Sequence, residues 1–478
     1  MHGAFLLRKY ATCSTFVNGR KLFLVVSTLL CLHCCTTYHA KPLDESAVTQ
    51  GLKPPAMESV RIQAGKISHP ILKPVEIDFA RGLTADQAAI VAVIQNPALR
   101  AARDQKGIAS AQLLQAGILP NPTFTYSLDF PTGGRTQGTV KGYGATVDWN
   151  ITSLITHNAR IDAARFYSAS VDLDIAWKEW QVAQAAKQHV YRFAFLKEQL
   201  SVAKDEEKTL REHLDSIRKA VALGDMTRLD MEAADTAFQR VYAMVLEITK
   251  NLEQERLALN NVLGFPPEYI VPLREEIALP SPETFPTLKK ITDGLETRRL
   301  DLLALKMGYQ SQQERLRAAV LAQFPNISIG PTHLRDTGDV VTTGFTVTIS
   351  LPVFDRNQGQ IAIEKATREQ LFNEYLSRLF EARAQVAALL ANMRSIEKQV
   401  DAEEKTVASL KKLVETSYNG FLEGNIDALS YYNELDRLFT KQLDVLKFKQ
   451  DLADSGIALE IAAGEYLGQL ETEEEFKK

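Results

Sequence analysis

Cysteine is missing from most of this chain: Cys13, Cys31, Cys34 and Cys35 fall in the first 35 of 478 residues, and none follows. A body without thiols has no disulfide framework and suits an oxidising compartment. Basic excess is absent too. The net charge of −4 gives no field to hold nucleic acid phosphates. The composition, 45% apolar and 24% charged, excludes a polytopic helical membrane protein and a disordered chain. The eight histidines are scattered, with no pair at metal-ligand spacing. No Gly-rich phosphate loop and no G-x-S-x-G elbow occurs. Carboxylates are plentiful but alternate with Lys and Arg as solvated helix faces do, and His157, beside a strand end, reads as structural or interfacial. No catalytic residue, metal ligand or cofactor is expected.

The first 35 residues carry Arg8, Lys9, Arg20 and Lys21, with no acid, ahead of an apolar run from Leu22 to Leu32. A cationic stretch before a short apolar core is a secretory signal, and this core is too short to span a bilayer. Its loss takes the net charge from −4 to −8. Leu32-His33-Cys34-Cys35 is similar to a lipobox, so Cys35 or Cys34 is a candidate for lipidation; ordinary cleavage near Ala40 is the alternative.

What the body does contain is an internal repeat. Gly144-Ala145-Thr146-Val147 corresponds to Gly344-Phe345-Thr346-Val347 at an offset of 200, and Leu223-Gly224 with Leu229 corresponds to Glu423-Gly424 with Leu429. Each copy reads helix, strand, strand, long helix, turn, helix. Thr84-Ala85-Asp86-Gln87 opens a helix as a capping box, and Asn96-Pro97 interrupts it. Between Leu154 and Leu263 there is no proline and a single glycine, Gly224; no proline follows Pro352. A helix from about Leu154 to Leu223 would be roughly 105 Å long at 1.5 Å per residue. Such helices belong to a rod or tube.

Between the helices the period changes to two. Phe124, Tyr126, Leu128 and Phe130 form one alternating set. Tyr143, Ala145, Val147, Trp149 and Ile151 form a second, and Phe345, Val347, Ile349 and Leu351 a third. Ile327 and Ile329 begin the remaining strand. Small polar residues fill the other phase. Strands of about 8–11 residues with one apolar face are the transmembrane-barrel pattern, so these large side chains are expected to face lipid. Four strands cannot close, and open edges do not survive in lipid. Several chains must pool them: two give 8 strands, three give 12.

With Leu119-Pro120-Asn121-Pro122 and Leu351-Pro352-Val353-Phe354-Asp355-Arg356-Asn357-Gln358-Gly359 at the helix–strand corners, the chain resembles the TolC-type outer-membrane factors, most closely the CzcC-like heavy-metal branch. The resemblance runs from about Leu83 to Gly464. It implies a mainly α fold with a small β part, a homotrimer, and a 12-stranded outer-membrane barrel on a long periplasmic helical barrel. Residues 1–35 are then the signal peptide and 36–82 a periplasmic extension. The repeats are 83–264 and 296–467, joined by an equatorial linker at 265–295, and 468–478 is a charged tail. The implied function is a passive exit duct in the outer membrane, carrying cargo (heavy-metal cations in that branch) from an inner-membrane pump of RND type through a periplasmic adaptor. Two alternatives stand beside it: a lipid-anchored periplasmic scaffold without transport, and the duct of a type I protein secretion system. The adaptor would dock on the hairpin tips, at Gly224, Asp225, Thr227, Leu229 and Asp230 in the first repeat and at Gly424, Asn425, Asp427 and Leu429 in the second. Relatives narrow the duct with acids near the second tip. Here the matching positions are Ser430 and Asn433, which leaves Asp230 as the acid at the constriction.

Overall fold

The structure, a computed structural model, describes residues 36–54, 56–274 and 287–467. The signal segment with Cys34 and Cys35, part of the linker and the charged tail lie outside the described residues. The chain divides at Lys53 into two units. Among the described residues of the first is the short helix α1 (Glu45–Gly51), whose N-terminus is capped by the Asp44 carboxylate.

The second unit opens with α2 (Met57–Ala64), α3 (Ala85–Gln95) and α4 (Pro97–Gly117). The capping box forms as expected: Thr84 Oγ1 accepts from the Gln87 N–H at 3.2 Å, and Gln87 Oε1 accepts from the Thr84 N–H at 3.0 Å. Asn96 ends α3 and caps α4, accepting from the Leu99 N–H at 3.1 Å, with Pro97 in the first turn where no N–H is needed. There follow β1 (Thr123–Asp129), β2 (Gly142–Asn150), α5 (Thr152–Leu223) and α6 (Arg228–Leu263). Two short helices, α7 (Leu288–Thr292) and α8 (Leu295–Arg298), lead to the second copy. It consists of α9 (Leu300–Leu321), β3 (Ile327–Arg335), β4 (Val341–Ile349), α10 (Gln358–Leu422) and α11 (Ala428–Ala463). The unit is thus duplicated, α4-β1-β2-α5-α6 against α9-β3-β4-α10-α11.

The 72 residues of α5 and 65 of α10 make helices about 108 and 98 Å long. Among the described residues no helix is both long and apolar enough to cross a membrane. The main core forms where α3 packs between α5 and the end of α6. There Ala88, Ala89, Ile90, Val91 and Val93 are buried around Trp180, Ala183, Val190 and Leu259. A helix apolar on every side has to be a core helix, and α3 is one. Inside this core the buried Lys187 ammonium lies 3.0 Å from Asp86 and 3.7 Å from Glu460, with the Tyr466 ring 5.0 Å away. Burial works against its charge, but the Glu460 and Asp86 carboxylates prevail and raise its pKa. This ion cluster ties the start of α3 and the end of α11 to the middle of α5.

The four strands form one antiparallel sheet in the order β1-β2-β3-β4. Its register pairs Phe124 with Val147, Tyr143 with Arg335, Trp149 with Ile329 and Ile329 with Val347. Pro331 sits in an inner strand, where it has no N–H to give. The β2–β3 pairs are absent opposite it, between Thr146 and Trp149. The gap closes because Gly330 has no side chain: a Cβ there would overlap the Val147 carbonyl oxygen.

Strand ends differ from the sequence expectation in four places. β1 has seven residues, short of the eight expected. Phe130 and Leu351 lie outside the strands, each directly before a proline that restricts its backbone. Ile151 already has helical angles (φ −84°, ψ −18°) as the N-cap of α5, although its N–H still donates to Ile327 O at 2.9 Å. At the second corner the left-handed position is taken by Asn357 (φ 59°), whose N–H donates to Asp355 Oδ1 at 2.8 Å; Gly359 lies inside α10.

Candidate functional site

Paired residues in an antiparallel ladder share a face, so the register sorts the sheet into two surfaces. One carries Phe124, Tyr126, Leu128, Tyr143, Ala145, Val147, Trp149, Ile327, Ile329, Phe345, Val347 and Ile349. The other carries Thr123, Thr125, Ser127, Gly144, Thr146, Ser328, Gly330, Thr332, Thr346 and Thr348. Phe124 and Phe345 are 65% and 64% exposed, and no other layer covers them. Tyr143, Trp149, Ile327 and Ile329 on the inner strands are half-buried, but large aromatic and branched side chains left bare along the outer strands mark contact with another apolar phase. Among the described residues the outer edges of β1 and β4 have no strand partner. Trp149 sits at the helix end of the sheet, its indole N–H donating to Pro120 O at 2.9 Å. Phe130 and Leu351 are also exposed, and Ile151 is half-buried.

At the far ends of the long helices are the two hairpin turns. In the first, Gly224 (φ 84°) ends α5 and the Asp225 N–H donates to Ala220 O at 2.9 Å. Such a left-handed residue favours glycine. Thr227 caps α6, accepting from the Asp230 N–H at 3.2 Å, while the Asp230 carboxylate accepts from the Thr227 N–H at 3.0 Å and its hydroxyl at 2.6 Å. In the second, Gly424 (φ 75°) occupies the left-handed position and the Asn425 N–H donates to Gly420 O at 2.8 Å. Asp427 caps α11, accepting from the Ser430 N–H and hydroxyl, both at 2.8 Å. The Ser430 backbone and side-chain donors hold the Asp427 carboxyl below the usual carboxylate range. Leu229 and Leu429 are exposed at the two apices, and Ser430 and Asn433 are exposed on α11. The turns bring the tip residues together within each hairpin, and the Asp230 carboxylate is bound into its own cap.

A seam between the two hairpins was not legible from sequence. Arg240 on α6 meets Asp436 on α11 at 2.5 Å. Beside this pair, a groove of about 450 Å³ runs between α5, α6 and α11, lined by Gln199, Asn251, Thr440 and Asp451. Burial, then the neighbouring Asp436, push the Glu206 carboxyl up to about 7, and its Oε1 has no hydrogen-bond partner. Closer to the tips, His213 of α5 stacks on Tyr418 of α10 at 5.7 Å, next to the buried Tyr431 and Tyr432 of α11. Burial lowers the His213 pKa. Tyr431 also stacks on Phe421 at 5.5 Å. The one available signal was the aromatic density of Tyr418, Phe421, Tyr431 and Tyr432 around a turn.

Comparison with known proteins agrees with this architecture. The sequence pattern of the family described as Outer membrane efflux protein matches residues 91–265 and 293–465. The cobalt-zinc-cadmium resistance protein CzcC of Cupriavidus metallidurans is 24% identical over 387 residues, covering 77% of this chain and 87% of that protein. The cation efflux system protein CusC of Escherichia coli K12 is 22% identical over 397 residues, covering 78% and 84%. A crystal structure of CusC, in a study of folding and transmembrane channel formation, superposes with a TM-score of 0.69 at 17% identity over 84% of this chain and 98% of that one. Bare-faced strands at one end and capped helical hairpins at the other therefore have one explanation: the chain belongs to the outer membrane efflux protein family, as a transport channel of the Gram-negative outer membrane with a large periplasmic helical part.

Proposed function

We propose that this chain is the exit duct of a tripartite efflux system for heavy-metal cations. The observation that carries the duct is the sheet: an uncovered apolar face, a small polar opposite face and two open edges, held at one end of helices about 100 Å long. Three copies pool their strands into a 12-stranded barrel, apolar face to lipid and Thr/Ser/Gly face to the pore. That closes every edge, as a lipid environment demands. Phe130, Ile151 and Leu351 border the band where the chain leaves it. The helices extend the pore across the periplasm.

The tips receive the periplasmic adaptor. Gly224, Asp225, Thr227, Leu229, Gly424, Asn425, Asp427 and Leu429 present capped turns with exposed leucines, and Asp230, Ser430 and Asn433 line the narrow end. The seam sets the resting state. With Arg240–Asp436 closed and Glu206 protonated, the hairpins pack together; an adaptor that binds the separated arrangement more tightly shifts the population to open. The energy comes from an inner-membrane pump of RND type. Support for metal cargo comes from the two relatives, whose names specify cobalt, zinc and cadmium resistance and cation efflux.

Purified protein in planar bilayers should conduct as a heat-resistant trimer, and lipid-anchored monomers without conductance would favour a scaffold instead. Deleting the gene should sensitise cells to cobalt, zinc or cadmium salts more than to antibiotics or dyes. The reverse order of sensitivity would remove the metal assignment and leave the duct.

A further inference from the structure

The apolar face of the sheet ends in cations at the end remote from the helices. Lys141 is one residue before β2 and in phase with Tyr143, so it lies on the face of Phe124 and Phe345. Its ammonium sits 5.2 Å from the centroid of the ring of Phe130, which continues the phase of Leu128. Arg335, paired with Tyr143, is on the same face and diagonal to Lys141, about 7–8 Å away. Its guanidinium is held by Asp339 of the hairpin turn, Nε to Oδ1 at 2.7 Å. His333 is next along β3, hydrogen-bonded to Thr343 at 2.8 Å, with its ring 6.0 Å from that of Tyr143. Among the described residues no carboxylate pairs with Lys141; the acid before the turn, Asp129, is on the other face.

Height makes this arrangement informative. Lys141 is ten residues from Ile151. At about 3.4 Å per residue and a tilt of about 40°, that is about 26 Å along the barrel axis. The apolar band of an outer-membrane barrel is about 25 Å tall. Lys141 and Arg335 therefore emerge where hydrocarbon gives way to headgroups. A lysine stem can lie along Phe130 while its ammonium reaches the polar layer. On the helix side the ladder of the same face ends in the Trp149 indole, and among the described residues no paired position there is a cation. The two rims differ.

We propose that Lys141 and Arg335, flanked by Phe130, Tyr143 and His333, form one phosphate-binding site per subunit for the anionic lipid of the outer leaflet. The inference rests on the duct reading, because it needs the barrel seated in the membrane with the hairpin loops outside. Lys141 supplies the uncompensated charge, Arg335 the directed N–H donors fixed by Asp339, and the rings pack on the acyl chains.

Native mass spectrometry of the full-length protein in detergent tests this, titrating bis-phosphorylated lipid A against its dephosphorylated form. The wild-type protein should hold the phosphorylated lipid about fivefold or more tightly, the effect of one cation at an anionic surface. Lys141→Ala should lose about that factor and Lys141→Arg should keep it, both still running as heat-resistant oligomers. Equal binding of the two lipids by wild type overturns the proposal whatever the variants do, as does inorganic phosphate competing as well as lipid A. A wild-type protein that conducts but shows no lipid preference removes this inference alone; one that never inserts into a bilayer removes the duct reading beneath it.

Discussion

The two hairpin turns are built to one plan and stabilised differently. In the first, the hydroxyl of Thr227 caps and the carboxylate of Asp230 answers it; in the second, the carboxylate of Asp427 caps and the hydroxyl of Ser430 answers. Each turn keeps one acid and one alcohol at the same spacing with the positions exchanged. What lies behind the turns differs more. The first is followed by the half-buried Met231, the second by the buried Tyr431 and Tyr432, which also pack against His213 of the other hairpin. A duplicated unit can thus keep its backbone plan while one copy becomes the element that locks against its twin. The second hairpin carries both the aromatic cluster and Asp436, so it is the part held in place by the seam.

Replacing the aromatic lock should sharpen this contrast most. Tyr431→Ala should cost about 3–5 kcal/mol, in the range of large-to-small core changes. Met231→Ala should cost less than half as much. Thermal unfolding with amide exchange at the tips measures both, and equal losses would break the asymmetry. Thr227→Ala should cost about 1 kcal/mol at the first tip, whereas Ser430→Ala should cost less because Asp427 still caps the backbone. Exchange rates in the first turns of α6 and α11 report this directly. Arg240→Ala should change stability by under about 1 kcal/mol, the exposed guanidinium making a solvent-screened pair, yet it should raise conductance by releasing the seam. No rise would mean that Arg240–Asp436 does not hold the hairpins together.

The smallest effects are those of pH. Glu206 is raised by burial to about 7, so the packed seam binds a proton that the separated one releases. Packing is then progressively weakened as pH rises from the ordinary glutamate value of 4.5 to about 7, and the loss is complete above it. Conductance should increase between about pH 4.5 and 7 and level off above it, and Glu206→Gln should flatten that increase. Asp427 works in the opposite direction. Its lowered pKa stabilises the second turn above the ordinary carboxylate range, and that contribution disappears as pH falls through the lowered value. The first turn should keep its Thr227 hydroxyl cap under the same acid conditions.

Much of this was legible because it is local. Alternation in Thr123 to Asp129 and Gly142 to Asn150, the glycines at 224 and 424, and the Thr84 capping box are read within a few residues. Strand ends were less clear because hydrophobicity continues past the ladder. Phe130 and Leu351 keep the phase of their strands, but the prolines after them end the pairing. The seam was invisible for another reason. Arg240 and Asp436 are 196 residues apart, and each reads as an ordinary charge on a solvated helix. Asp230, expected as the acid at the constriction, has its carboxylate bound to the Thr227 N–H and hydroxyl in the cap of α6.

The central claim is that β1 of one copy closes against β4 of the next, and the absence of cysteine after residue 35 provides a clean background for testing it. Ser127→Cys combined in turn with Thr342→Cys, Thr346→Cys or Thr348→Cys scans the unknown register on the pore face. After oxidation in intact outer membranes, at least one pair should give covalent dimers and trimers on a denaturing gel and nothing larger. Monomers alone at every register, from protein confirmed to be in the outer membrane, would contradict the shared barrel.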